Sequence, residues 1–129
     1  MSKRSSSDLL PVTPTMVLEA RKRLAGVALR TPLEPSLALS KLTGASVFVK
    51  WESLQRTGVF KLRGAYNKVA SLSPEAALRG VVTASTGNHG LAVAFAAQQR
   101  GIPATVVVPR DASPLKLDKI RSYGATLVT

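Results

Sequence analysis

The sequence predicts an α/β protein built on an open, parallel, doubly wound sheet, and three observations lead there. From Gly80 onward, short β-branched runs alternate with longer helical ones in a β-α-β-α-β order, which favours a parallel sheet. The run "ATVVV" (Ala104–Val108) lacks polar alternation, as a strand covered on both faces does. The run "GNHGLAVAFAAQQRG" (Gly87–Gly101) is apolar nearly all round, as a buried helix is.

Each element has its own signal. Residues 1–12 read as a flexible arm. Thr13-Pro14 supplies an N-cap and a first helical residue, and the helix is expected to run to about Ala25, with Gly26 stopping it. Two prolines hold "RTPLEPS" (Arg30–Ser36) extended. A short helix over Ser36–Leu42 ends at Gly44, and "SVFVKW" (Ser46–Trp51) is a strand by its β-branched and aromatic content. A turn at Thr57-Gly58 leads into a helix from about Phe60 to Leu72. Then come a short helix at Pro74–Leu78, a strand at Gly80–Ala84, the helix Gly87–Gly101 and the strand Ala104–Val108. Ser113-Pro114 caps a helix that ends at Gly124, and Thr126–Val128 begins a further strand. No helix follows to close the alternation, so the chain is expected to be part of something longer or to have its sheet covered by a missing partner.

Composition narrows the function. Across 129 residues, 45% are hydrophobic and 19% charged, a balance that supports a folded core. There is no cysteine, which excludes disulfides, zinc-thiolate sites and thiol nucleophiles. With one histidine and scattered carboxylates, no metal site is expected. The N-terminus has no apolar run of signal-peptide type, and no stretch reaches membrane-spanning length, so a cytoplasmic location with no membrane partner is the default. The net charge of +11 admits a polyanion partner. However, the basic residues are spread out, only Arg21–Arg23 forms a tight cluster, and aromatics do not interleave with them, so no nucleic-acid partner is expected.

Two stretches carry chemistry. In "RTGVFKLRGAYNKV" (Arg56–Val69), Lys61 opens a helix. The N-terminal end of a helix and the apolar neighbours Val59, Phe60 and Leu62 all disfavour an ammonium ion. The result is a usable amine nucleophile of the kind that forms imines with carbonyls. The plain alternative is a surface lysine with a snorkelling stem. The second stretch, "ASTGNHG" (Ala84–Gly90), falls between a strand and a helix, where open α/β sheets bind ligands. Helix-start N–H groups favour anions there, with Ser85 and Thr86 adding hydroxyls, Asn88 an amide, and Gly87 room for close approach. The plain alternative is a capping turn. No G-x-G-x-x-G and no P-loop is present.

Together, "KWESLQRTGVFKLRGAYNKV" (Lys50–Val69) and "GVVTASTGNHGLAVAFAA" (Gly80–Ala97) resemble the fold-type II pyridoxal-phosphate enzymes, in the threonine dehydratase and serine racemase branch. The family patterns are K-x-E-x-x-Q-x-T-G-[SA]-F-K-x-R-G-A and S-[ST]-G-N-H, and the resemblance runs from about Thr31 to the end of the chain. It implies an incomplete part of the tryptophan-synthase-β-like architecture. Residues 1–72 would be an N-terminal arm and the first part of the large cofactor domain, and 73–129 an incomplete small α/β domain.

The resemblance implies roles residue by residue. Lys61 resembles the lysine that carries pyridoxal 5'-phosphate and moves the proton at the substrate α-carbon. Phe60 resembles the residue packed near the cofactor ring, and Asn88 the partner of its 3-hydroxyl. Ser85, Thr86, Gly87, Asn88 and His89 resemble the loop that grips the substrate carboxylate. The implied reaction is α,β-elimination from a β-hydroxy amino acid such as threonine or serine, giving a 2-oxo acid and ammonia. Full-length relatives are implied to be homo-oligomers. Val59 departs from the family's Ser or Ala. Thr86 stands where serine racemases carry a serine, which favours dehydration over the racemase alternative and resembles the dehydratases of hydroxyectoine utilisation. His89, where cysteine synthases have threonine, argues against β-replacement. The family's glycine-rich phosphate cradle and its pyridine-nitrogen contact lie downstream of Thr129. The isolated chain is therefore expected to be inactive, with a non-catalytic truncated chain as the competing reading.

Overall fold

The computed structural model describes residues 12–85 and 87–129; apart from Val12, the expected N-terminal arm lies outside them. The first helix, α1 (Pro14–Leu24), starts as its sequence predicts: the Thr13 hydroxyl accepts from the Met16 N–H, and proline occupies the first turn. The extended stretch after it forms β1 (Leu33–Pro35), which pairs antiparallel with β2 (Phe48–Lys50) across α2 (Leu37–Thr43). Proline fits β1 because a two-stranded ribbon is all edge. Helix α2 ends at Gly44, whose φ of 71° is a left-handed C-cap. A single 3₁₀ turn, Glu52–Leu54, was not foreseen, and it carries the chain from β2 toward α3 (Lys61–Ala70).

Helix α3 buries one face only. Leu62, Ala65, Tyr66 and Val69 recur at helical spacing and are buried, and Leu62 is fully so. That face sets the rotation of the helix. Lys61, Gly64 and Lys68 fall on the opposite side and are exposed. Burying Leu62 alone contributes about 1.5–3 kcal/mol to holding this rotation.

The second half builds a three-stranded parallel sheet in the order β3 (Val81–Ala84), β4 (Ala104–Val107), β5 (Thr126–Val128). A short helix, α4 (Pro74–Leu78), capped by the Ser73 hydroxyl, precedes the sheet. The connections are α5 (Asn88–Arg100) and α6 (Pro114–Ser122). Ser113 takes the N-cap position of α6, but its hydroxyl makes no capping bond. Ala94 and Ala97 of α5 and Ile120 of α6 share one apolar cluster with Ala104, Val106 and Val108. Both helices therefore cover the same face of the sheet, as successive crossovers of one hand in one direction require. A second cluster joins α3 to α5 through Ala65, Tyr66, Val69, Ala92, Val93 and Ala96.

The expectation for α5 is borne out: Gly90 and Ala92–Ala97 are all buried. The expectation that Ala104–Val108 is covered on both faces is corrected. Val107 is 38% exposed and its neighbours on the same face, Val82 and Val128, are 74% and 46% exposed. An apolar run looks the same whether one or two faces are packed, because β-branched residues suit either.

Two glycines separate packing from conformational freedom. A Cβ on Gly90 would stand 2.7 Å from Val106 Cγ1, whereas one on Gly64 would meet nothing within 4 Å. Gly90→Ala should therefore lower unfolding stability by about 1–3 kcal/mol through overpacking. Gly64→Ala should raise it by roughly 0.5–1 kcal/mol by removing backbone freedom within the helix. Urea titrations of the two variants beside the parent chain check both signs.

Candidate functional site

Lys61 is the first residue of α3, so the cation does stand at a helix start. Phe60 takes the N-cap position with helical dihedrals and gives no side-chain cap. Of the three apolar neighbours expected to disfavour an ammonium ion, Leu62 points into the core, Val59 is half-buried, and Phe60 is 64% exposed, so they do not enclose the lysine. Residues one apart on a helix diverge by about 100°, so a buried Leu62 turns Lys61 outward. The Lys61 and Phe60 side chains both stand open at the mouth of the Arg56–Phe60 turn.

What fixes that turn is a polar cluster that the sequence reading did not single out. Arg63 donates from Nε and Nη2 to the two carboxylate oxygens of Glu52, at 2.8 and 2.7 Å. Arg63 Nη2 also donates to the Leu29 carbonyl at 3.0 Å. The Thr31 hydroxyl donates to Glu52 at 2.6 Å. Buried Gln55 clasps the Leu29 backbone from both sides, accepting from its N–H at 2.9 Å and donating to its carbonyl at 3.1 Å. Hydrogen bonds from Arg63 hold the Glu52 carboxyl down from 4.5 to about 2, against a smaller opposing effect of burial and with help from Thr31. The signal available in sequence was the Glu52, Gln55 and Arg63 positions of the motif, without their partners.

The second stretch is organised by Ser85. Its hydroxyl oxygen accepts from the Gly87 N–H at 3.1 Å and from the Gly90 N–H at 2.9 Å. The plain capping role thus describes this hydroxyl. Thr86 lies outside the described residues. Asn88 and His89 are exposed in the first turn of α5, and among the described residues their N–H groups have no acceptor. Gly87 is buried beneath Lys116 of α6, so that a Cβ there would stand 3.1 Å from Lys116 Nζ and Cδ. A lysine amine over open helix-start N–H groups suits an anion.

The two stretches meet through the helices that carry them. Gly64, Ala65 and Lys68 of α3 line one cleft, of about 290 Å³, together with His89 and Val93 of α5. Among the described residues no hydrogen bond joins Lys61 or Phe60 to Ser85, Gly87, Asn88 or His89. No group of three His, Cys, Asp or Glu placed to hold a metal occurs among them. No helix among them is long and apolar enough to cross a membrane.

A parallel three-stranded sheet with an exposed lysine at the start of α3 and an exposed first turn at the start of α5 makes this an α/β protein of the parallel-sheet class with two open helix starts. Comparison with known proteins gives the family. The family model described as pyridoxal-phosphate dependent enzyme matches residues 24–129, and the chain belongs to that family. An L-threonine ammonia-lyase of Thermotoga maritima is 50% identical over 117 residues, which is 91% of this chain and 29% of that protein. An L-threo-3-hydroxyaspartate ammonia-lyase of a Pseudomonas species is 47% identical over 87% of this chain and 35% of that protein. The crystal structure of serine racemase from Dictyostelium discoideum superimposes with a TM-score of 0.82 at 43% identity, covering 87% of this chain and 37% of that one. The chain thus spans about a third of the length of these relatives.

The Glu52–Arg63 pair predicts an acid limb of stability. Glu52 is depressed in the folded chain, so its contribution is fully present above about pH 4.5 and is lost as pH falls toward about 2. Chemical denaturation at stepped pH should show this loss in the parent chain. Glu52→Gln should be less stable at neutral pH and should lack that part of the acid limb.

Proposed function

We propose that this chain is the N-terminal portion of a pyridoxal-phosphate-dependent ammonia-lyase that eliminates the β-hydroxyl of a threonine- or serine-like amino acid, giving a 2-oxo acid and ammonia. Three relatives support the reaction class by name, at 44–50% identity: the L-threonine and L-threo-3-hydroxyaspartate ammonia-lyases and a beta-hydroxyaspartate dehydratase of Paracoccus denitrificans. The observation that carries the reading is the exposed amine of Lys61 at the mouth of a clamped turn. Racemisation is the second reading, favoured by serine racemases of plants and Dictyostelium at 42–45% identity.

The residues present fit the cofactor. Lys61 offers a primary amine with no competing hydrogen bond among the described residues, and Phe60 offers an open aromatic face. Asn88 offers an amide free to reach a ring hydroxyl. Gly87 leaves a space that any Cβ would fill, under the Lys116 amine. In this proposal Lys61 holds pyridoxal phosphate and takes or returns the proton at the substrate α-carbon. When bound, the cofactor supplies an electron sink for the α-carbon. Phe60 shields one face of the ring from water. Asn88 orients the ring through its 3-hydroxyl. Ser85, Thr86, Gly87, Asn88 and His89 hold the substrate carboxylate, with Ser85 keeping the turn in shape through its two accepted N–H bonds.

The division into residues 1–72, belonging with a large cofactor domain, and 73–129, belonging with a small one, is part of the same proposal and rests on the family resemblance. So does homo-oligomeric assembly of the whole protein. A cytoplasmic location rests on composition alone.

Intact mass spectrometry after incubation with pyridoxal phosphate and borohydride reduction tests the reading. The parent chain should carry one dominant pyridoxyl adduct, and Lys61→Ala should lose it. An adduct spread evenly over the lysines, or one that survives Lys61→Ala, contradicts it.

A further inference from the structure

Helix α3, like α5 and α6, starts without a side-chain cap. Thr13, Ser36 and Ser73 cap α1, α2 and α4 with a hydroxyl, whereas Phe60 gives α3 no side-chain cap. The residue that most needs a fixed place, Lys61, therefore sits on a helix start that no cap holds. Two residues on, the Arg63 guanidinium grips both oxygens of Glu52 and the Leu29 carbonyl. On the other side of the Arg56–Phe60 turn, Gln55 grips the same Leu29 backbone, and Arg56 donates from Nε to the Val27 carbonyl at 2.8 Å. The turn that presents Lys61 is thus clamped at both ends onto one strap, residues 27–31. The Glu52 side chain is 15% exposed and that of Arg63 34%, so water competes little for the carboxylate. Lys50 completes the cluster by donating from Nζ to the Thr31 carbonyl.

We propose that Glu52 and Arg63 are positioning residues for Lys61: their two-pronged pair, with Gln55 and Thr31 behind it, replaces the missing cap and sets where the lysine amine stands. The inference rests on the proposed role of Lys61 and adds how that role is held in place. The pair touches neither substrate nor cofactor; it acts through the first turn of α3. The geometry of the fork matters as much as its charge. A lysine at 63 keeps the cation but has one nitrogen, which cannot reach both carboxylate oxygens and the Leu29 carbonyl in the same plane.

The test compares the parent chain with Arg63→Lys and Glu52→Gln by two readouts. The first is amide hydrogen exchange along α3. Positioning predicts that exchange quickens about tenfold at Arg63, Gly64 and Ala65 while Val69 and Ala70 keep their protection. Exchange that is unchanged, or that quickens evenly from Arg63 to Ala70 in step with global stability, reduces the pair to an ordinary stabilising contact and overturns the inference. The second readout is the rate of pyridoxyl adduct formation at Lys61 relative to Lys41 and Lys119. It should fall about tenfold in both variants, because small displacements of a reacting group are costly. If the parent chain shows no preference for Lys61, the cofactor reading falls, and the exchange pattern alone decides whether the pair fixes the helix start. Arg63→Lys conserves charge and helix propensity, so it keeps the test decisive if Glu52→Gln fails to fold.

Discussion

The rest of the structure depends on one contact, the packing of α3 against α5. Ala65, Tyr66 and Val69 meet Ala92, Val93 and Ala96 in a seam made largely of small side chains. Small residues let two helix backbones approach closely, and every atom placed between them gains dispersion contacts that a looser seam would forfeit. The seam joins α3 and α5 into one packed body. It also sets the rotation of α3, because the face that buries Leu62 and Tyr66 is the face that turns Lys61 outward. The position of the lysine thus follows from core packing before any polar contact is considered.

Three further contacts refine what the seam begins. At its start α5 presses on β4, where Gly90 has no Cβ to hold it away from Val106. Ser85 then spans the turn with two accepted N–H bonds. At the start of α3 the Glu52–Arg63 pair ties the helix to the 27–31 strap. Each stretch carrying candidate chemistry is therefore held twice, by apolar packing of its helix and by a polar fastening at the helix start. Tight packing fixes the helices to within fractions of an ångström, and hydrogen bonds then fix direction.

Much of this was legible in the chain. Helix ends were marked by Thr13-Pro14, by Ser73-Pro74, and by Gly44 and Gly101, which take φ values of 71° and 63° in left-handed C-caps. Those signals are local, so they survive without the fold. The 3.6-residue spacing of Leu62, Ala65, Tyr66 and Val69 likewise contains the direction of Lys61, although a reading of immediate neighbours alone placed three apolar groups around it. The pairing of Leu33 with Lys50 was not legible, because strand partners 17 residues apart leave no mark in either segment. The Glu52–Arg63–Leu29 cluster was hidden for the same reason, since its backbone acceptor has no sequence signature. One-sided cover of β4 was hidden because Val106 and Val107 are the same residue type facing opposite ways, one buried and one open.

The most direct test of the seam uses the absence of cysteine in the chain. Gly64 and His89 are exposed and line the same cleft, so Gly64→Cys and His89→Cys can carry a pair of spin labels without disturbing the core. Electron paramagnetic resonance then measures the separation of the two helix starts in solution. A single short separation, retained up to the unfolding transition, is the predicted result. A long or broad distribution under native conditions would mean that α3 and α5 do not form one packed body, and the account of how their packing turns Lys61 outward would be contradicted.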